Sequence, residues 1–155
     1  MAIKFGVALG AQVTAISSRD SKAAEAKKLG AHHFLASSNK DQFKAAFNSF
    51  DVVLCTANGH DMDLNIYFPL LKTNGKFIMV AGGEKITLNM IPFLMKQLVF
   101  CGSIIGSPAM IREMLALASE KNILAEITTF PIEKVNEALQ GVREGKPLFR
   151  YVLTH

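Results

Sequence analysis

The sequence predicts an α/β fold in which a parallel β-sheet carries helices on both of its faces. The prediction rests on short runs rich in β-branched and aromatic residues that alternate with longer amphipathic segments. Two of these runs, residues 51–56 and 77–81, are apolar almost throughout, which is typical of strands buried on both sides. We therefore expect both strands to lie near the centre of the sheet.

The chain divides into predicted strands and helices as follows. Strands are predicted at residues 13–17, 34–36, 51–56, 76–81, 98–105, 127–130 and 149–153. Helices are predicted at residues 21–30, 41–50, 110–121 and 133–145, and residues 2–9 have the pattern of the second half of a helix. Gly30 stands where a left-handed residue would end the first of these helices. The helix over 110–121 has an apolar side made of Met110, Ile111, Met114, Leu115, Leu117 and Ala118.

Composition indicates one ordinary globular unit. The chain has 155 residues, of which 50% are hydrophobic and 19% are charged, and its net charge is +4. Lysine and arginine are scattered among acidic residues with no basic stripe, so we expect no nucleic-acid partner. We also expect no membrane association and a cytoplasmic location, because no apolar run approaches the ~18 residues of a span and the N-terminus has no signal-peptide pattern. Cys55 and Cys101 lie in apolar runs, which favours structural thiols.

The stretch QVTAISSRDSK, residues 12–22, has the composition of a phosphate-binding site. In a dinucleotide-binding βαβ unit, an acidic residue at the end of the second strand binds the ribose hydroxyls and would repel a 2′-phosphate. Here the strand ends with Ser17, Ser18 and Arg19, and Lys22 follows in the predicted first turn of the next helix. These groups can surround a phosphate. On this stretch alone, an equally good interpretation is that the serines cap the helix and the cations are solvated.

Several segments together resemble a known family. They are AIKFGVALGAQVTAISSRDSKAAEAKKLGAHHFL, then FDVVLCTA, GKFIMVAG, FCGSIIGS, and the C-terminal FPIEKVNEALQGVREGKPLFRYVLT. In this order they resemble the cofactor-binding half of the medium-chain zinc-type alcohol dehydrogenases, and most closely the NADP-dependent cinnamyl alcohol dehydrogenase branch. The resemblance covers essentially the whole chain. It implies a partial NADP-binding Rossmann domain at residues 1–122 and a segment at 123–155 that packs back on the catalytic domain in relatives.

The resemblance also implies roles for individual residues. Ser17 stands where NAD-using relatives carry an acid, and the positions that meet the 2′-phosphate in NADP-using relatives are Ser18, Arg19 and Lys22. Positions near the adenosine and nicotinamide riboses are Thr56 and Ala57. Positions near the nicotinamide ring are Val80, Ala81, Ser103 and Ile105. Arg150 matches a residue that reaches the pyrophosphate in relatives, with a strand-edge surface arginine as the alternative.

Parts of the family pattern are missing from the sequence. The glycine-rich turn should lie immediately before Ala2, the zinc ligands belong to the other half of the family's chain, and His60 has no partner at metal spacing. We therefore predict a Rossmann-type sheet without its first strand and glycine-rich turn, in a C-terminal fragment of a longer enzyme or the product of a truncated reading frame. The missing strand should leave two unpaired inner edges, one ending at Ser17 and one at Thr56. No catalytic or metal-binding residue is predicted in this chain.

The function expected from the resemblance belongs to the parent protein. It is an NADP- and zinc-dependent alcohol dehydrogenase that transfers hydride between a primary alcohol or aldehyde and the nicotinamide, and it is expected to be a homodimer paired near residues 99–105. In it the zinc, held by the other half, polarises the substrate oxygen. This chain alone is expected to bind cofactor weakly and to be inactive. The alternatives are a non-catalytic truncated remnant and a zinc-independent quinone reductase of the same superfamily.

Overall fold

The computed structural model describes residues 1–57, 62–82, 85–147 and 149–155. In chain order its helices and strands are α1 (Ala2–Ala8), β1 (Thr14–Ser17), α2 (Ala23–Lys28), β2 (His33–Ala36), α3 (Lys40–Ala45), β3 (Phe50–Cys55), β4 (Leu71–Met79), α4 (Ile91–Lys96), β5 (Val99–Gly102), α5 (Pro108–Glu120), β6 (Ile127–Pro131), α6 (Val135–Arg143) and β7 (Arg150–Thr154). Short 3₁₀ helices cover Asp20–Lys22, Leu64–Ile66, Phe68–Leu70 and Ile132–Lys134. Within these ranges no helix is long and apolar enough to cross a bilayer.

The strands confirm the predicted parallel α/β fold. Every pairing among the described strands is parallel, and the pairings form three groups: β1–β2, β3–β4–β5 and β6–β7. β4 is central, as predicted. The expectation that β3 is also central and buried on both sides is wrong, because β3 is an edge of its group. Val53 and Cys55 are buried, whereas Val52 and Leu54 on the opposite face are exposed.

Several element boundaries differ from the sequence prediction. β4 begins at Leu71, five residues before the strand predicted at 76–81. It therefore includes the turn-like pair Asn74–Gly75, in which Asn74 has a φ of 63°. The helix predicted at 41–50 ends at Ala45, because Asn48 adopts a φ of 55° and Phe50 already belongs to β3. β5 is shorter than the predicted strand at 98–105. Helix α4 was not predicted at all.

The main core lies against the three-stranded group. Phe68 and Phe77 are almost completely buried, and their rings meet edge to face with centroids 5.3 Å apart. Phe93 adds a second edge contact to Phe68 at 4.8 Å, and Phe100 stacks on Phe77 at 5.5 Å. Cys55 is a free thiol in the same cluster, which confirms the prediction that it is buried. The aromatic rings thus pack β3, β4 and β5 against one shared core.

The apolar side of α5 does not enter this core. None of the residues of α5 is buried, and large parts of Met110, Ile111, Met114 and Leu115 are exposed. The amphipathic pattern predicted the helix correctly, since α5 covers Pro108–Glu120 and Ser107 caps it through a hydrogen bond to the Met110 amide. The pattern does not say what covers the apolar side.

A groove separates β1 from β3. It has a volume of about 430 Å³, and its walls are residues 11–16 on the β1 side, residues 52–57 on the β3 side, and Ala2, Ile3 and Gly6 of α1. We call it the inter-strand groove. Among the described strands, β1 pairs with β2 alone and β3 with β4 alone, so each leaves one edge unpaired. This is the arrangement expected from a sheet without its first strand.

Candidate cofactor-binding site

The predicted phosphate site lies at the carboxyl end of β1. Ser17 is the last residue of the strand, and its Oγ accepts a 3.4 Å hydrogen bond from the backbone N–H of Arg19. Ser18 and Arg19 are exposed. The structure does not support the alternative that the serines cap the helix, because neither the 3₁₀ helix Asp20–Lys22 nor α2 has a side-chain cap bond.

Lys22 differs from its predicted setting. It ends a 3₁₀ helix and precedes α2, whereas the sequence placed it in the first turn of the helix. Its Nζ lies 2.7 Å from Glu25 Oε2, three residues later. The pair is part-buried, with 44% of the Lys22 side chain and 30% of the Glu25 side chain exposed. A solvent-accessible pair at this spacing is worth about 0–1 kcal/mol, so Lys22 can turn to a phosphate at little cost. Of the two cations in this group, Lys22 pairs with Glu25, whereas no side-chain hydrogen bond or ion pair of Arg19 is found among the described residues.

The ends of β3, β4 and β5 form a second row of candidate residues. The register pairs Cys55 with Met79 and Met79 with Gly102, so all three strands end at one level. The next residues continue the ladder: Val80 N–H donates to Cys55 O at 3.1 Å and Ser103 N–H donates to Met79 O at 3.0 Å. Thr56, Val80 and Ser103 therefore lie side by side, and all three are exposed.

Three further predicted residues flank this row. Ala57 is exposed, and its carbonyl accepts a weak contact of 3.7 Å from Cys55 Sγ. Ala81 is half-buried directly after Val80, and Ile105 presents a largely exposed apolar side chain beyond Ser103. The structure thus brings the candidates from β3, β4 and β5 to one edge of the sheet, where doubly wound α/β folds bind their ligands.

Arg150 lies apart in sequence, at the start of β7. Its guanidinium donates a 2.9 Å bond to the adjacent carbonyl of Phe149, and its side chain is exposed. Its neighbour Phe149 is close to the start of α1, since Lys4 Nζ lies 5.5 Å from the centroid of the Phe149 ring. Burial, and to a smaller degree the positive charges of Lys4 and Arg150, lower the pKa of the Met1 amine.

Tyr67 is a groove residue that the sequence analysis missed. Its ring packs edge to face against Phe43 with centroids 5.7 Å apart, and its side chain lines the inter-strand groove. Burial raises the pKa of the Tyr67 phenol, an effect that a hydrogen bond with the Ser37 side chain partly offsets. Nothing in the sequence signals this position, since a tyrosine in a loop has no characteristic spacing.

The Tyr67 phenol should therefore ionise at a higher pH than a free tyrosine. The folded state holds the phenol proton more tightly than the unfolded state, so stability is intact below pH 10 and falls as the pH rises through the higher folded pKa. The measurement is a titration of phenolate absorbance in a Tyr151→Phe variant, which leaves Tyr67 as the one tyrosine of the two in the chain. We expect a midpoint above 10; a midpoint at or below 10 would contradict the burial of this ring.

Comparison with known proteins identifies the family. A sequence profile described as zinc-binding dehydrogenase matches residues 1–120, which is more than half of the chain. The chain belongs to the zinc-binding dehydrogenase family. This confirms the resemblance to medium-chain alcohol dehydrogenases noted from the sequence.

Individual relatives agree with this assignment. The chain is 36% identical over its whole length to the aldehyde reductase AdhA of Synechocystis sp., and 38% identical over 99% of its length to a mannitol dehydrogenase of Petroselinum crispum. A cinnamyl alcohol dehydrogenase structure from Sorghum bicolor superposes with a TM-score of 0.89 and 31% identity over 99% of this chain. The chain spans 46%, 46% and 44% of these three proteins. It therefore corresponds to a portion of an alcohol or aldehyde dehydrogenase-like protein.

The described residues contain no zinc site. In the ranges that the structure covers, His, Cys, Asp and Glu side chains form no group of three or more that could hold a metal ion. His60 and Asp61 lie outside the described residues. The described residues therefore do not fit the family's zinc.

Proposed function

We propose that this chain forms the cofactor-binding part of an NADP-dependent zinc alcohol dehydrogenase that interconverts a primary alcohol and an aldehyde. Members of this family use a nicotinamide cofactor, which supplies hydride transfer at its ring. The observation that carries the NADP assignment is the group Ser17, Ser18, Arg19 and Lys22 at the end of β1, where no carboxylate occupies the ribose-binding position.

The chemistry of the β1 group favours a phosphate. A 2′-phosphate carries close to two negative charges and accepts hydrogen bonds from several directions. Ser17 and Ser18 offer hydroxyl donors, and Arg19 offers a fork of N–H donors from an exposed position. A carboxylate at Ser17 would instead favour two ribose hydroxyls and repel the phosphate.

The remaining candidates would accommodate the rest of the cofactor. In this proposal Thr56 and Ala57 lie against the riboses, and Val80, Ala81, Ser103 and Ile105 line the nicotinamide. The common level of the ends of β3, β4 and β5 supports this placement. Arg150 binds the pyrophosphate, which agrees with the contact between its neighbour Phe149 and Lys4 of α1.

The test is a cofactor titration of the full protein that contains this chain. We expect tighter binding of NADPH than of NADH, measured for both under the same buffer and salt conditions, because the two ligands differ by the phosphate alone. The quantity that decides is the ratio of the two dissociation constants. Equal affinities, or tighter NADH, would overturn the role given to the β1 group.

We also propose that residues 123–155 form a unit distinct from residues 1–122. Among the described strands, β6 and β7 pair with each other and with no strand of the other groups. Phe130 and Tyr151 pack across this pair with ring centroids 4.8 Å apart. In the full protein this unit would pack on the catalytic domain.

Self-association through β5 is a further part of the proposal. Val99 begins this strand, which is the edge of the three-stranded group opposite β3, and its side chain is exposed. An exposed apolar strand edge favours pairing with a second copy. We expect Val99→Lys to shift the full protein from dimer to monomer in analytical ultracentrifugation, while a dimer of unchanged affinity would place the interface elsewhere.

A further inference from the structure

Asn65 ties two connections of the sheet to each other. It lies in the 3₁₀ helix Leu64–Ile66, within the connection between β3 and β4, and its side chain reaches the connection between β4 and α4. Asn65 Nδ2 donates to the Thr87 carbonyl at 3.0 Å, and Asn65 Oδ1 accepts the Asn89 N–H at 2.7 Å. We call these two hydrogen bonds the Asn65 clamp.

The clamp uses both ends of a carboxamide. One partner is a backbone carbonyl and the other is a backbone N–H, so the side chain has to offer a donor and an acceptor at the same time. Asn65 Nδ2 also donates to Asp63 Oδ1 at 2.8 Å, and the same oxygen accepts the Asn65 N–H at 2.9 Å. An aspartate at this position would lack the donor, and an alanine would lack both groups.

Apolar contacts place the clamp beside the main core. Leu64 is buried, and Leu88, which stands between the two clamped residues, packs against the same cluster. Met79, the last residue of β4, packs against this cluster as well. One core therefore supports both the clamp and the end of β4.

The connection between β4 and α4 has little support from its own backbone. Val80 continues the ladder through its bond to Cys55 O at 3.1 Å. Beyond it, within the ranges described for this connection, residues 81–82 and 85–89 form no backbone–backbone hydrogen bond. A segment of this kind opens easily unless side chains hold it. The Asn65 clamp supplies two bonds to its backbone, at Thr87 and Asn89.

We propose that Asn65 is a positioning residue for the nicotinamide half of the cofactor. The clamp holds the connection between β4 and α4 in the arrangement in which Val80 and Ala81 line the nicotinamide, and Asn65 acts through this connection without touching the ring. The inference rests on the proposed function, which assigns Val80 and Ala81 to the nicotinamide. The adenosine half belongs to the group at the end of β1, which the clamp does not contact.

The test compares two ligands in the full protein that contains this chain. NADPH carries both halves of the cofactor, whereas 2′,5′-ADP carries the adenosine half with its 2′-phosphate and has no nicotinamide. Asn65→Ala should raise the dissociation constant of NADPH about tenfold, the size expected for the loss of a net hydrogen bond, and that of 2′,5′-ADP less than about twofold. Isothermal titration calorimetry measures both constants.

Asn122→Ala is the matched control. Asn122 follows α5 with a φ of 52°, a conformation that alanine adopts at a cost, so this variant also loses stability through an asparagine. The 13 residues of α5 extend about 20 Å between the carboxyl edge of the sheet and Asn122. The ratio of the two dissociation constants should therefore be that of the unchanged protein.

A second readout needs no substitution. If the clamp strengthens NADPH binding about tenfold, bound NADPH has to stabilise the clamp by the same factor. The amide to follow is that of Asn89, because it donates to Asn65 Oδ1. Its hydrogen exchange should slow about tenfold with saturating NADPH and stay unchanged with saturating 2′,5′-ADP.

Three outcomes would overturn the positioning role. They are an equal loss of both ligands in Asn65→Ala, a loss of neither, and equal exchange at the Asn89 amide with the two ligands. The exchange measurement stays decisive if Asn65→Ala does not fold. A failure of the NADP assignment looks different, since the unchanged protein would then bind 2′,5′-ADP no more tightly than 5′-AMP. The pair NADH and 5′-ADP would in that case decide on Asn65 by the same ratio.

Discussion

Replacing Arg19 by aspartate in the full protein should weaken NADPH binding about 100-fold or more and leave NADH binding nearly unchanged. The loss of charge-assisted hydrogen bonds accounts for about 1.5–3 kcal/mol, and repulsion between the new carboxylate and the phosphate adds to it. NADH has no phosphate at this position, and a carboxylate near the ribose can accept bonds from its hydroxyls. The preference should therefore reverse toward NADH.

The matched control is Arg112→Asp. Arg112 lies on the exposed part of α5, outside the group at the end of β1, so the change in net charge is the same while the site is intact. Both variants are compared with the unchanged protein by fluorescence titration with NADPH and NADH at two salt concentrations. Equal losses for the two cofactors in Arg19→Asp, or an equal loss of NADPH binding in Arg112→Asp, would contradict a specific phosphate contact.

The sequence predicted the strands best where a short apolar run stood between clear breaks. β1 and β2 follow such runs, and the pairing Thr14↔His33 through Ser17↔Ala36 agrees with the βαβ expectation. The strand predicted at 76–81 is too short at its start, because β4 begins at Leu71 and includes Asn74 and Gly75, a pair that normally signals a turn. Here the pair lies within β4, near the register shift that the pairing with β3 shows between Phe50 and Val52.

Hydrophobic periodicity could not predict helix α4. The segment IPFLMK is apolar at five of six positions, so it lacks the alternation of apolar and polar sides by which a helix is recognised in a sequence. Phe93 is buried in the main core, whereas Ile91, Leu94 and Met95 are exposed. Tertiary packing decides which of these equivalent side chains faces inward, and the sequence alone does not contain that choice.

The candidate residues Thr56, Val80 and Ser103 were predicted from the resemblance to the medium-chain dehydrogenases and not from periodicity or spacing. The parallel register explains why they lie in one row, since parallel strands end at a common edge of the sheet. The ion pair of Lys22 with Glu25 could also have been read from the spacing of three residues. The position of Tyr67 in the groove could not, because it depends on how the loop after residue 61 packs against α3.

Replacing Phe77 by alanine should lower the free energy of unfolding by about 3–5 kcal/mol. Phe77 is 1% exposed and touches two other rings, Phe68 at 5.3 Å edge to face and Phe100 at 5.5 Å stacked, so its removal leaves a cavity between them. The control is Phe47→Ala, since Phe47 is 45% exposed and should cost well under half as much. Chemical denaturation followed by circular dichroism measures both.

The packing of Phe77 also matters for the candidate site, because Val80 directly follows β4 and β4 pairs with both β3 and β5. A domain of this size has about 5–15 kcal/mol of total stability, so the loss takes a large share of it. The row Thr56, Val80 and Ser103 depends on the ladder bonds from Cys55 and Met79, which this core holds in register. Equal costs for Phe77→Ala and Phe47→Ala would mean that the aromatic cluster is not what aligns the strand ends.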